Sequence, residues 1–191
     1  MISVALFFPK IYRCEITILE LEYQVLSYTE MQFLASNVQK CSLRWIVVKN
    51  EDGTIVSFEK IIELFPRLLE LKCSFDERLS INISKNTVTN LLKIPQFLQL
   101  KFLRLSRVPE TFDMPTFYNY HKMRKSKCEV LIAFKRQLSQ HFVNNLKSIV
   151  DDILQNSLKM APIFFQFDEL TRQQIFLLSL LYNFLRENGW E

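Results

Sequence analysis

The sequence is short of glycine, histidine and proline: its 191 residues include two glycines, two histidines and six prolines. Two glycines cannot furnish a Gly-rich phosphate loop, nor the positive-φ residue wanted at each tight hairpin of a β-barrel, so both architectures are disfavoured. His121 and His141 lie in no H-E-x-x-H, G-x-S-x-G or Cys–His arrangement. Asp151 and Asp152 are adjacent on a helix-like stretch and point about 100° apart, which makes them a poor acid–base pair. No catalytic residues are therefore assigned, and the expectation is a protein that is not an enzyme and needs no cofactor.

The four cysteines, Cys14, Cys41, Cys73 and Cys128, form no C-x-x-C pair and have no histidine at ligand spacing, so no metal site is assigned. Each lies in or beside a strand-like run, where a thiol behaves as a small hydrophobe. That usage suits reduced core cysteines in a cytoplasmic protein, with the nucleus as the alternative, better than a disulfide framework. The apolar run Ile2 to Phe8 is far shorter than the roughly 20 residues that span a bilayer, and it lacks a basic leader and a cleavage site. It is read as a lead-in strand or incomplete repeat over residues 1–13, with no membrane partner.

What the chain has in abundance is apolar surface, 49% of residues with 17 phenylalanines, enough for one domain or one short repeat array. A signature L-x-x-L-x-L returns four times: Ile16, Leu19 and Leu21; Leu43, Ile46 and Val48; Leu68, Leu71 and Cys73; Leu100, Leu103 and Leu105. Two looser strand-like runs follow, Cys128 to Phe134 and Ile163 to Phe167. Leucine-rich repeats that alternate strand and helix recur every 20–29 residues or so, and the spacing here is only slightly looser.

Helix signals fall between the strand signals. Ser27 with Glu30 forms a capping box opening a helix to about Asn37, and Ser57 precedes Phe58, Ile61, Ile62 and Phe65 at helical spacing. Ser84 caps a third helix that stops before Pro95, and Asp113 with Pro115 opens a fourth to about Met123. A fifth runs from about Ser139 to Asn156 with one apolar stripe. A last, about Thr171 to Glu187, is apolar nearly all round, as suits a C-terminal cap or a docking helix. The expected fold is thus an α/β, irregular leucine-rich-repeat-like βα solenoid: parallel strands on one face, helices on the other. The array covers residues 14–167, and the capping helix falls in 168–191.

Side chains alternate along a strand, so the residues between the inward apolar positions should form rungs on a shared face. The repeat alignment places Ile18, Trp45, Glu70 and Phe102 in one rung, Glu20, Val47, Lys72 and Arg104 in the next, and Glu22, Lys49, Ser74 and Ser106 in the third. Glu22 then faces Lys49 as a cross-strand charge pair. Trp45, Phe102 and Arg104 have the chemistry of interface anchors, although strands buried on both faces also read as apolar runs, which leaves Trp45 and Phe102 as core residues in the other reading. The net charge of +4 is mostly spread. Its densest run, Lys122, Arg124, Lys125 and Lys127, reads either as a phosphate-contacting patch for nucleic acid or an anionic membrane surface, or as a solvated loop at a helix C-terminus.

Three segments carry a family likeness: Glu22-Tyr23-Gln24-Val25-Leu26-Ser27-Tyr28, Val48-Lys49-Asn50-Glu51-Asp52-Gly53-Thr54, and Glu59-Lys60-Ile61-Ile62-Glu63-Leu64-Phe65-Pro66. With Val108-Pro109-Glu110-Thr111-Phe112-Asp113, they resemble a nematode-expanded family of F-box-associated proteins with irregular leucine-rich-like βα repeats, over about Cys14 to Phe167. The resemblance implies a partner-binding repeat domain related to substrate recognition in the ubiquitin system, although an F-box itself is not evident in the sequence. The leading expectation is a non-enzymatic protein-interaction module with unknown protein partners, and the alternative is a basic nucleic-acid-binding protein.

Overall fold

Six short runs whose residues alternate between buried and more exposed become the strands of a single parallel sheet. The computed structural model describes residues 14–75, 83–123, 128–156 and 161–188. Its main sheet holds β1 (Ile18–Glu22), β3 (Lys40–Arg44), β5 (Glu70–Ser74), β6 (Phe102–Val108), β7 (Glu129–Phe134) and β8 (Ile163–Gln166), each hydrogen-bonded to the next in that order. A smaller parallel pair is formed by β2 (Val25–Ser27) and β4 (Val47–Lys49). The protein is therefore a mixed α/β fold on a parallel sheet, not a closed barrel.

Helices fill the connections: α1 (Tyr28–Ala35), α2 (Phe58–Glu63), α3 (Thr87–Leu91), α4 (Pro95–Leu98), α5 (Met114–Met123), α6 (Gln140–Asn156) and α7 (Arg172–Asn188). Their starts follow from side-chain chemistry. Ser27 Oγ accepts the Glu30 amide at 3.2 Å while Glu30 accepts the Ser27 amide at 2.8 Å, so the expected capping box is formed. Asp113 Oδ1 accepts the Thr116 amide at 3.1 Å, and Ser139 Oγ accepts that of Phe142 at 3.3 Å. Thr171 and Gln174 form a second reciprocal cap ahead of α7, each accepting the other's amide at 3.1 Å. Ser57 holds the N-cap position of α2 without a side-chain bond, and Asn86, not Ser84, precedes α3.

One face of the sheet is apolar in every strand. Leu19, Cys41, Leu71, Leu103, Val130 and Ile163 lie in one buried row, and Leu21, Leu43, Cys73, Leu105, Ile132 and Phe165 in the next. They join helix residues such as Met31, Ile62, Val88, Phe117, Leu146 and Val150 in one contiguous core. All four cysteines are free thiols, three of them buried, and burial pushes the Cys41 and Cys73 thiols well up.

The structure corrects the second repeat. Strand β3 pairs Cys41 with Leu19 and Leu43 with Leu21, so its signature is Val38, Cys41 and Leu43, five residues earlier than the sequence alignment placed it. Trp45, Val47 and Lys49 accordingly leave the rungs of the main sheet. Val47 and Lys49 belong to β4, where they pair with Val25 and Ser27. The cause is a sharp redirection at the end of each early strand. Tyr23 (φ 53°) follows β1 and Trp45 (φ 52°) follows β3, both in the left-handed region that L-residues enter at a cost of about 1–2 kcal/mol. The chain turns there and resumes as β2 or β4, so two strands with a bend between them imitate one longer signature. Lys49 is not beside Glu22; Arg44 takes that place, at 3.1 Å.

Two tyrosines tie the C-terminal helices down. Tyr118 on α5 donates to Asp152 Oδ2 on α6 at 2.6 Å, and Lys122 pairs with the same oxygen at 2.5 Å. Tyr182 on α7 donates to Glu129 on β7. Burial first, then the accepting carboxylate, raises both phenols well above their ordinary range. A group raised in the folded state binds its proton more tightly than when unfolded. Its stabilisation is complete below the unfolded tyrosine value, about 10, and is lost as pH rises towards the folded value. The urea midpoint should therefore fall above roughly pH 10, and a Tyr118→Phe, Tyr182→Phe double variant should show a flatter alkaline limb. Equal slopes in the two proteins would refute this assignment.

Candidate interaction face

The second face of the main sheet is polar and largely open. Its first row reads Ile18, Lys40, Glu70, Phe102 and Glu129. The second reads Glu20, Ser42, Lys72, Arg104, Leu131 and Phe164, and the third Glu22, Arg44, Ser74, Ser106, Ala133 and Gln166. Of the residues expected to form this face, Ile18, Glu20, Glu22, Glu70, Lys72, Phe102, Arg104, Ser74 and Ser106 are brought together in the rows assigned to them. Lys40, Ser42 and Arg44 replace Trp45, Val47 and Lys49. The 22-residue offset between Ile18 and Lys40 recurs between Tyr23 and Trp45, and that pair of aromatics at equivalent positions was the available signal for the correct register.

Charges on the face are arranged by strand. Lys40 pairs with Glu70 at 2.7 Å and Arg44 with Glu22 at 3.1 Å, both between exposed or half-buried groups and therefore worth little individually. Glu129 receives Tyr182 and, at 3.7 Å, Arg186 from α7. Lys72 lies 5.8 Å from the centre of the Phe102 ring, and neither Lys72 nor Arg104 forms an ion pair among the described residues. The centre of the face, over β3, β5 and β6, holds a depression of about 340 Å³ lined by Ser42, Arg44, Lys72, Ser74, Arg104 and Ser106, with Cys73 beneath.

Trp45 stands at the margin of this face. Its ring stacks on Tyr23 with centroids 4.5 Å apart and planes 25° from parallel, extending a half-exposed aromatic step from the ends of β1 and β3. Arg107 (φ 58°) occupies the corresponding position after Ser106, at an irregularity in the β6–β7 register. With Lys135, Arg136, Gln166 and Asp168 it lines a second hollow of about 660 Å³. Ala133 and Gln166, from the third row of the open face, also line that hollow.

No family model, curated protein or solved structure matches the chain.

The helix α7 limits the face on one side. It packs along β8 and against α6, and through Tyr182 it also reaches Phe164 and Glu129 on the open side of the sheet. Its outward surface carries Ile175, Phe176, Leu177, Leu180 and Phe184, all exposed. Of the alternative basic run, Lys122 is held by Asp152, and Arg124, Lys125 and Lys127 lie outside the described residues, as do residues 1–13 with the expected lead-in strand. His121 is buried on α5, its Nε2 3.1 Å from the Ala161 carbonyl, and His141 lies on α6 beside Asn145. No cluster of three metal-binding side chains and no helix long and apolar enough to cross a membrane occurs among the described residues.

Proposed function

We propose that the chain is a non-enzymatic protein-interaction module, a leucine-rich-repeat-like βα array that binds a partner segment across the open face of its parallel sheet. The observation that carries this reading is the one-sided sheet. Parallel sheets ordinarily have helices on both faces. Here the face bearing Ile18, Lys40, Lys72 and Arg104 stays exposed, while the opposite face is buried from β1 to β8. Side chains of an uncovered parallel face stand in straight rows at about 4.8 Å intervals, which suits recognition of an extended segment by several strands at once. The rows mix both charges and include the apolar side chains of Ile18 and Phe102, a composition that favours a protein partner over a polyanion. The resemblance to F-box-associated repeat proteins makes a component of the ubiquitin system the first class of partner to examine.

The test is comparative capture. An Ile18→Asp, Phe102→Asp variant alters the first row without touching the buried face, and a Lys60→Ala variant alters an exposed residue of α2 as a control. Proximity labelling should recover specific partners with the parent and the control, with about tenfold less from the double variant. An unchanged partner set in a double variant that retains its circular dichroism would remove the reading. Recovery of a ubiquitin-ligase adaptor would supply the link to that system.

A further inference from the structure

Three adjacent strands each contribute one hydroxyl and one cation, two residues apart, to the central depression: Ser42 and Arg44 from β3, Lys72 and Ser74 from β5, Arg104 and Ser106 from β6. Positions i and i+2 on a strand are about 6.6 Å apart and neighbouring strands about 4.8 Å. The six polar groups therefore surround an area the size of one tetrahedral oxyanion with its hydrogen-bond partners. Among the described residues, no carboxylate lines it. Lys72 and Arg104 are the two cations of the face that form no ion pair among the described residues, and Arg44 gives Glu22 a single contact at 3.1 Å, leaving most of its five N–H donors unspent.

We propose that this depression is a phosphate subsite, and that the partner segment crossing the open face carries a phosphoserine or phosphothreonine there. This rests on the open face being a protein-binding surface. A phosphate monoester brings about −1.5 to −2 charges and three acceptor oxygens at neutral pH. Arginine forks match those oxygens in pairs, lysine supplies a point charge, and hydroxyls complete the set. The surroundings select a peptide over a nucleic-acid backbone. Glu20 and Glu22 on β1, Glu70 in the first row and Glu129 on β7 flank the cations on three sides, so a second phosphate in those directions would meet a carboxylate; on the fourth side Asp168 shares the neighbouring hollow with Arg107, Lys135 and Arg136. One phosphate flanked by neutral or basic residues meets none of that repulsion.

Direct binding tests the subsite. The probes are a fluorescent peptide library with a fixed central phosphoserine, the same library with serine, inorganic phosphate, and a single-stranded RNA oligonucleotide. Anisotropy should show the phosphorylated library bound about tenfold or more tightly than its serine twin, the gain expected of charge-assisted bonds. An Arg104→Gln, Lys72→Met variant, both positions being exposed, should fold normally and lose that preference. Equal binding of the two libraries, or a preference that survives in the variant, overturns the proposal. So does RNA bound as tightly as the phosphorylated library at moderate salt, or inorganic phosphate bound as tightly as the peptides. Affinity capture from lysate with and without prior phosphatase treatment separates this inference from the broader one. Partners that are retained after phosphatase, yet lost from the Ile18→Asp, Phe102→Asp variant, leave the interaction face standing and remove the phosphate.

Discussion

Replacing Phe65 by alanine is expected to lower the free energy of unfolding by about 3–5 kcal/mol, a large part of the roughly 5–15 kcal/mol that a domain possesses. Phe65 follows α2 and is 0% exposed, among the largest side chains buried completely. Its position is fixed by local chemistry: its amide donates to the Ile62 carbonyl at 3.1 Å, closing the helix just before Pro66. Alanine removes the ring and leaves a cavity that a turn held in this way cannot collapse to fill. Urea denaturation should show a lower midpoint with an unchanged slope. Phe176→Ala is the matched comparison, because that ring is 60% exposed on α7 and its loss should change stability by no more than about 0.5 kcal/mol. Similar shifts for the two would mean that the helical layer around Phe65 is not a packed core.

The sequence pattern reached the parallel sheet because the buried face repeats with period two in strand after strand. Leu68, Leu71 and Cys73, then Leu100, Leu103 and Leu105, stand as the spacing predicts, and Leu71 and Leu103 are register partners. Register failed only at the second repeat. There Cys41 takes a position held elsewhere by leucine, while Ile46 and Val48, which follow the bend at Trp45, are buried as deeply as true strand positions. Apolar periodicity reports burial, and both β3 and β4 are buried on one side. It does not report a left-handed residue between them, which only the aromatic pair Tyr23 and Trp45 could suggest. The same bend hid the small β2–β4 sheet.

The consequence for the face is chemical. With Trp45, Val47 and Lys49 in its second strand, the face reads as a mixture of anchors and paired charges. With Lys40, Ser42 and Arg44 there instead, three strands repeat one hydroxyl and one cation, and a site with a definite ligand class emerges from an otherwise balanced surface. Phe102 keeps its predicted row, and its ring also lies 5.8 Å from the Lys72 ammonium.

An aspartate in place of Leu178 should cost about 4 kcal/mol or more, combining lost apolar burial with the desolvation of a carboxylate. The same change at Leu180 should stay within about 1 kcal/mol. The two positions are two residues apart on α7, hence about 200° apart around the helix, and they share its intrinsic helix-propensity penalty. Leu178 is 0% exposed and belongs to the core, whereas Leu180 is 51% exposed. The difference between the variants therefore isolates how far α7 is needed to close the core beyond β8. Buried in apolar surroundings, the new carboxyl at 178 takes a raised pKa, so its penalty should shrink as pH falls towards the ordinary aspartate value of about 3.9. A Leu178→Asp protein as stable as the Leu180→Asp protein at neutral pH would show that α7 does not seal the core beyond β8. Tyr182 and Arg186 would then be peripheral contacts to Glu129, and the boundary of the open face would have to be drawn at β8 itself.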